Sequence, residues 1–276
     1  MPIVTISRGS YSKGKEVAEK LAAALGYDCI SRDILLEASS EFNIPEIKLV
    51  RALHDAPTVL ERFTNGKERY LCYLRSALLN RVLSDNVVYH GLAGHYFLQS
   101  VPHVVKVRII ADIEARVREE MRREGIPEAE ARYILKKDDD ERRKWGLQVY
   151  GVDTWDPGLY DLVIHIGALS VDDAVDILRA TVAKPCFQKT PVSEKILKDM
   201  ALAARVLSSV VTVVPKTDVR ADDGVVTIIT PGVLSIGTTE EVKKLAEGVE
   251  GVQRAIVNDL SEKGPQDHVN PFHNLK

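Results

Sequence analysis

Cysteine, aromatic residues and long apolar runs are all scarce in this chain, and each shortage excludes something. The three cysteines, Cys29, Cys72 and Cys186, lie far apart among 276 residues. An odd, scattered set of this kind makes neither a disulfide framework nor a zinc knuckle. Aromatic residues are 6% of the chain. No apolar run approaches the roughly 20 residues that a membrane helix requires. Excess positive charge is also missing: 37 Lys and Arg against 40 Asp and Glu give a net charge of −3. Nucleic-acid-binding domains are usually strongly basic. The opening Met1-Pro2-Ile3-Val4-Thr5 has no basic region followed by an apolar stretch, so no signal peptide is expected. The expectation is a soluble, cytoplasmic protein with no transmembrane segment and no nucleic-acid partner.

What the chain does have is 45% hydrophobic residues set in two alternating patterns. Pro2–Ser7 is a short β-branched run, and Lys15–Leu25 places Val17, Leu21 and Leu25 four apart, on one helix face. Asn86–His90, His103–Ile110 and Tyr160–Ile166 read as buried strands. Arg32–Ser40, Ile113–Arg123, Glu128–Val149 and Val171–Val182 read as helices. Strands separated by helices imply an α/β fold with a parallel sheet covered by helices on both faces. After Val182 the composition changes. Lys184–Pro191 holds two prolines and no period, and reads as a linker. A helix from Ser193, a valine-rich run, two strands about an Asp222-Asp223-Gly224 turn, a helix from Thr238 and a last strand then form a small α+β module in αββαβ order. The expected organisation is a first domain over 1–185, a second over 193–260 and a tail over 261–276. A piece ending near Thr190 is expected to fold alone.

Gly9-Ser10-Tyr11-Ser12-Lys13-Gly14-Lys15 has the spacing G-x-x-x-x-G-K between a strand and a helix. That arrangement cradles phosphate: backbone N–H groups wrap the oxygens, the helix N-terminus adds positive charge, and a lysine reaches the outer phosphates. Glycine at both ends is expected to permit the backbone angles of the wrap. The hydroxyl residue that usually follows the lysine and holds Mg²⁺ is replaced by Glu16 and Val17, so metal contact would pass through water, Ser10, Ser12 or another residue. An ordinary strand–turn–helix junction is the alternative. Between Ile113 and Lys144, Arg116, Arg118, Arg122, Arg123, Arg132, Arg142 and Arg143 alternate with acids that include Asp138-Asp139-Asp140. Such a run is either a solvated helical pair laced with ion pairs or a lid. A lid would bring cations to a migrating phosphoryl group, whose charge spreads over three oxygens.

Several segments, in order, resemble the cytidylate kinase-like family. They are Thr5-Ile6-Ser7-Arg8 running into the glycine loop, Ser31-Arg32-Asp33-Ile34-Leu35, Asn86–Tyr96, Val107–Arg118, Asp139-x-x-Arg142, and Tyr150-Gly151-Val152-Asp153 through Asp156-Pro157-Gly158-Leu159-Tyr160-Asp161-Leu162. They cover about residues 3–182. The resemblance implies a P-loop nucleoside monophosphate kinase fold using ATP and Mg²⁺. It implies that Gly9, Ser10, Tyr11, Ser12, Lys13, Gly14, Lys15 and Glu16 bind the ATP phosphates, with Lys15 bridging the two phosphoryl groups. Arg116 and Arg142 would neutralise the migrating group, and Asp139 and Asp161 would orient those arginines or a hydrated Mg²⁺. Arg32, Asp33, Gly91, Leu92 and His95 would face the acceptor. No dedicated protein metal site is expected, since His90 and His95 have no carboxylate or cysteine partner.

Family members commonly carry Gly-Arg where this chain has Gly91-Leu92, and leucine binds no phosphate. His90 and His95, or Arg51, Arg62, Arg69 and Arg75, could compensate. The C-terminal module, through Val219–Ile228 and Ala246–Asn258, resembles a BON domain, which implies a regulatory or assembly unit with a protein or small-ligand partner, and possible homo-oligomers. The expected activity is ATP-dependent phosphoryl transfer to a nucleoside monophosphate, with CMP or dCMP as the acceptor the resemblance implies. The alternatives are a nucleotide sensor with little kinase activity, and a kinase of another small phosphorylated metabolite.

Overall fold

The structure, a computed structural model, describes residues 2–10, 12–31, 33–46, 48–49, 66–91 and 93–259. Five strands, β1 (Ile3–Arg8), β2 (Asp28–Ile30), β3 (Val87–His90), β4 (Val104–Ala111) and β5 (Leu162–Ile166), form one parallel sheet in the order β2-β3-β1-β4-β5. In register, Val4 lies beside Val88 on β3 and Val105 on β4. The central strands are apolar at nearly every position because helices cover both faces. On one face Val4, Ile6, Val88, Val105 and Val107 pack with α1 (Gly14–Leu25) and α7 (Val171–Val182), through Val17, Leu21, Val175 and Leu178. On the other, Ile3, Val87, Tyr89 and Val104 share a core with α3 (Gly66–Val82), α4 (Gly94–Phe97) and the C-terminal half of α6 (Glu128–Tyr150), which contributes Trp145 and Val149. α2 (Asp33–Glu41) adds Ile34 and Ala38 to this second core.

α5 (Ile113–Glu124) and α6 form an antiparallel pair held by Val117, Ala131 and Leu135. Gly125, at φ 67°, ends α5 in the left-handed conformation that glycine favours. The pair carries the arginine-rich stretch, and α6 runs back until Trp145 is buried against the sheet.

Beyond α7 come α8 (Pro191–Val210), β6 (Asp218–Asp222), β7 (Val225–Thr230), α9 (Ile236–Glu247) and β8 (Arg254–Asp259). This is the expected αββαβ order. β6 and β7 pair antiparallel across a two-residue turn, Asp223 at φ 45° and Gly224 at φ 84°, as tight hairpins require. β8 adds parallel to β7. Val210–Val214 is not a separate element but the end of α8 and the turn after it.

The segment over 184–191 is docked rather than a free tether. Pro185–Phe187 makes one 3₁₀ turn, Lys189 donates to Asp85 at 2.8 Å, and Thr190 caps α8 in a reciprocal box with Ser193. α8 then serves two cores. Leu197, Ala201 and Ala204 join the core that contains Leu71, Leu74 and Leu78 of α3, whereas Leu202, Val206, Leu207 and Val210 cover the small sheet. Arg205 donates to Asn80 at 3.1 Å across the same contact. The C-terminal module therefore rests on the first through a shared helix, and a piece ending near Thr190 would bare the α3 surface.

Candidate active site

The glycine loop leaves β1 at the C-terminal edge of the sheet and enters α1. Among its described residues the left-handed one is Lys13, at φ 67°, and neither Gly9 nor Gly14 has positive φ. This corrects the expectation that the glycines serve the backbone angles. They are required by crowding instead: a Cβ on Gly14 would lie 2.6 Å from Cβ of Arg8, and one on Gly9 would lie 3.3 Å from the Arg116 guanidinium carbon. Ser12 turns inward and donates to the Gly9 carbonyl at 3.0 Å. Lys15 is 65% exposed, its ammonium 3.6 Å from Glu19, while Lys13 lies 3.8 Å from Glu16. Tyr11, Arg32, Leu92, Arg51 and Arg62 lie outside the described residues.

α5 and α6 reach this loop. Arg116 is buried, donates through Nε to the Ser10 carbonyl at 2.7 Å, and forms a two-pronged pair with Asp139 at 2.8 and 2.9 Å. Arg142 donates to the Ser10 hydroxyl at 2.9 Å, and that hydroxyl donates to Asp138 at 2.9 Å. Burial pulls the Arg142 guanidinium below the ordinary arginine range, and the charges of Asp138 and Asp139 oppose that shift. The other arginines of the stretch, Arg118, Arg122, Arg123, Arg132 and Arg143, are exposed or half-exposed. Arg116 and Arg142 therefore converge on the loop, one from α5 and one from α6.

An open cleft beside the loop is lined by Ser10, Lys13, Lys15, Glu120 and Asp138, among others. Glu120 is 4% exposed, and its Oε2 has no hydrogen-bond partner among the described residues. Glu120 lines the same cleft as Ser10 and Asp138, and carboxylate and hydroxyl oxygens are the donor chemistry that Mg²⁺ takes. The residues present thus fit a hydrated divalent cation held at the loop.

Other expected residues take different positions. Asp161 accepts from the Lys106 amide at 2.7 Å and pairs with its ammonium at 3.1 Å, so it ties β5 to β4 and orients no lid arginine. Asp33 opens α2 and accepts from the Ser31 amide at 3.4 Å. The Gly91 amide donates to the Ile6 carbonyl, and a Cβ there would lie 2.7 Å from the Tyr89 hydroxyl. His90 and His95 are buried. Burial pushes His90 down to about 4 and His95 down to about 3, so both imidazoles are neutral. Arg69 lies over the Tyr70 ring at 5.5 Å.

The residue that sequence reasoning passed over is Arg108. It lies on β4 with Val104 and Lys106, all on the same side of a buried strand, and charge at alternate positions there was the available signal. Its Nη1 donates to the Thr154 carbonyl at 2.7 Å and lies 3.3 Å from the Tyr160 hydroxyl. Tyr160 also donates to the Thr154 carbonyl at 3.0 Å and approaches His95 Nε2 at 3.4 Å.

The model of the cytidylate kinase-like family matches residues 3–168. A cytidylate kinase of Pyrobaculum aerophilum is 24% identical over 179 residues, covering 64% of this chain and 90% of that protein. One of Methanopyrus kandleri is 35% identical over 78 residues, 28% of this chain, and the matched part spans only 40% of that relative's length. A crystal structure of an uncharacterized protein from Eubacterium ventriosum superposes with a TM-score of 0.51 at 21% identity, over 66% of this chain and 98% of that one.

Proposed function

The chain belongs to the cytidylate kinase-like family, and from that premise we propose that it is a phosphotransferase moving the γ-phosphoryl group of ATP to a nucleoside monophosphate, with CMP or dCMP as first candidates. The observation that carries this reading is the meeting of Arg116 and Arg142 on Ser10 of the glycine loop. An acceptor phosphate oxygen attacks the γ-phosphorus in line, and the bond from that phosphorus to the β–γ bridging oxygen breaks as ADP leaves. No enzyme-bound intermediate is needed. The three equatorial oxygens gather charge during transfer, and planar guanidinium forks fixed in advance around them lower the barrier. Lys15, whose partner Glu19 is an exposed neighbour one helical turn on, is free to swing onto the phosphates. Ser10, Asp138 and Glu120 would hold Mg²⁺, which when bound screens the phosphate charge. Closure of the lid would exclude water as a competing acceptor.

The experiment is steady-state ADP release with ATP, Mg²⁺ and a panel of nucleoside monophosphates. Saturable turnover with CMP or dCMP supports the reading, and slow, acceptor-independent hydrolysis alone removes it. A nucleotide sensor is the second reading, favoured by the closed Arg116–Asp139 pair, in which the lid cation is already neutralised. In either case the C-terminal module, BON-like in its αββαβ order, would act as a regulatory unit, because α8 presses on α3.

A further inference from the structure

A narrow cavity lies on the sheet face opposite α1, between the glycine loop and the lid, with Arg108, His95, Tyr96, Arg142 and Trp155 in its wall. Three features set it apart. First, Arg108 has no carboxylate within ion-pair distance among the described residues, whereas Arg116 has Asp139 and Arg142 has Asp138 at 3.9 Å. Its hydrogen bonds go to neutral oxygens and its guanidinium carbon lies 5.7 Å from the centre of the Tyr160 ring, so a bound anion would add charge-assisted hydrogen bonds that these neighbours do not supply. Only Nη1 is engaged, with two neutral oxygens, so the planar fork of donors is incompletely used. Second, two residues of the wall each carry a buried polar atom with no hydrogen-bond partner among the described residues: Nδ1 of His95, which is 5% exposed, and the hydroxyl of Tyr96, which is 8% exposed and packs against Gly146 of α6. Buried polar atoms are ordinarily satisfied, so His95 and Tyr96 hold hydrogen-bonding capacity that the fold leaves unused. Third, the half-exposed indole of Trp155 stands at the cavity, with the Arg143 guanidinium 4.8 Å from its ring centre.

We propose that Arg108 is the residue that binds the phosphate of the acceptor, and that the acceptor is a phosphate monoester. The inference rests on the phosphotransferase reading and supplies the acceptor contact that Leu92 cannot make. Arg108 reaches this position from β4, in the floor of the site, and not from the segment after β3. A floor cation held by the Thr154 carbonyl needs no reordering when the acceptor arrives. The neighbouring Arg142 completes a two-arginine clamp from the lid side, and Gly9 in the same wall sets the phosphate next to the loop.

The test uses the full chain with Arg108→Leu, Arg108→Lys and, as a surface control, Arg179→Leu. Two quantities are read: KM for acceptor and for ATP in the ADP-release assay, and direct binding of CMP against cytidine by quenching of tryptophan fluorescence. Arg108→Leu is expected to raise the acceptor KM at least about 30-fold, as loss of a charged hydrogen bond does, and to leave the KM for ATP nearly unchanged. Arg108→Lys should recover part of the loss, and wild type should bind CMP far better than cytidine. If Arg108→Leu fails to fold, the lysine variant and the CMP–cytidine comparison still decide. Turnover by wild type with an unaltered acceptor KM in Arg108→Leu overturns this inference and leaves the kinase standing. CMP binding that vanishes in Arg108→Leu, with no turnover in wild type, removes the kinase reading and keeps the anion site. Equal binding of CMP and cytidine, or binding of neither, sinks the proposal.

Discussion

Gly9 and Arg116 are steric partners: a single carbon added to the glycine would sit 3.3 Å from the guanidinium carbon of a lid arginine more than a hundred residues away. The first glycine of the loop is therefore fitted to Arg116 of α5. Gly14 is fitted to Arg8 in the same way, only more tightly.

From this, Gly14→Ala should destabilise the fold by about 1–3 kcal/mol, as overpacking against an atom close to the backbone does. Gly9→Ala presses only on a flexible side-chain end. Its melting temperature should barely move, while displacement of Arg116 by a few tenths of an ångström lowers kcat by about tenfold. Thermal melts and ADP-release kinetics on both variants check the contrast. Equal effects on stability would show that the two glycines do the same job.

Lys15→Ala should lower turnover at least about 100-fold, the usual loss when an electrostatic stabiliser of a transition state is removed. Its exposed pairing with Glu19 contributes little to folding, so the melting temperature should stay within a degree or two. Near-normal kcat in this variant would remove Lys15 from the chemistry.

Asp139→Ala leaves the buried Arg116 without its two-pronged acceptor and should cost about 3 kcal/mol. Replacing both, Arg116→Met with Asp139→Leu, should cost less than that single change, because no unpaired charge remains. Urea unfolding of the two proteins decides it. A double variant less stable than the single one contradicts the argument.

Stability should fall in mild acid. His95 titrates at about 3 and His90 at about 4 in the fold, against an ordinary value of 6.5, because burial disfavours the imidazolium. Between these values the unfolded chain holds the extra protons. The stabilisation is therefore complete above 6.5 and is lost as pH drops toward 4, by about 1.4 kcal/mol per pH unit for each histidine. Urea midpoints from about pH 7.5 to about pH 4.5 measure this slope, and His95→Gln should flatten it. A slope unchanged in that variant would show that His95 is not the group responsible.

Truncation after Thr190 should cost at least about 3 kcal/mol, since it removes Leu197, Ala201 and Ala204 and uncovers leucines of α3. A shortened chain that melts with the full chain's midpoint would mean that docking of α8 contributes nothing to the first core.

Much of this fold is legible in one dimension. The four-residue spacing of Val17, Leu21 and Leu25 marks α1, and the β-branched runs mark β1, β3, β4 and β5. Asp222-Asp223-Gly224 marks a hairpin. Local signals of this kind are periodic or stereochemical, so a short window contains them. The glycine loop and Asp139-x-x-Arg142 were visible too, because their spacing is local. α8 was harder: a single apolar stripe looks the same whether it meets one core or two.

The chain's own order of residues determined the alternation of strand and helix, the position of the loop at the first junction, and membership of a kinase-like family. Only the tertiary structure decided which of the seven arginines of α5 and α6 meet Ser10, why Gly9 and Gly14 carry no side chain, and that Arg108 stands in a cavity wall with no carboxylate at ion-pair distance among the described residues. The physical reason is that charge and crowding act through space. An arginine's role depends on which carboxylate lies within about 4 Å of it, and that distance is set by how α5 and α6 cross the sheet, not by their spacing along the chain.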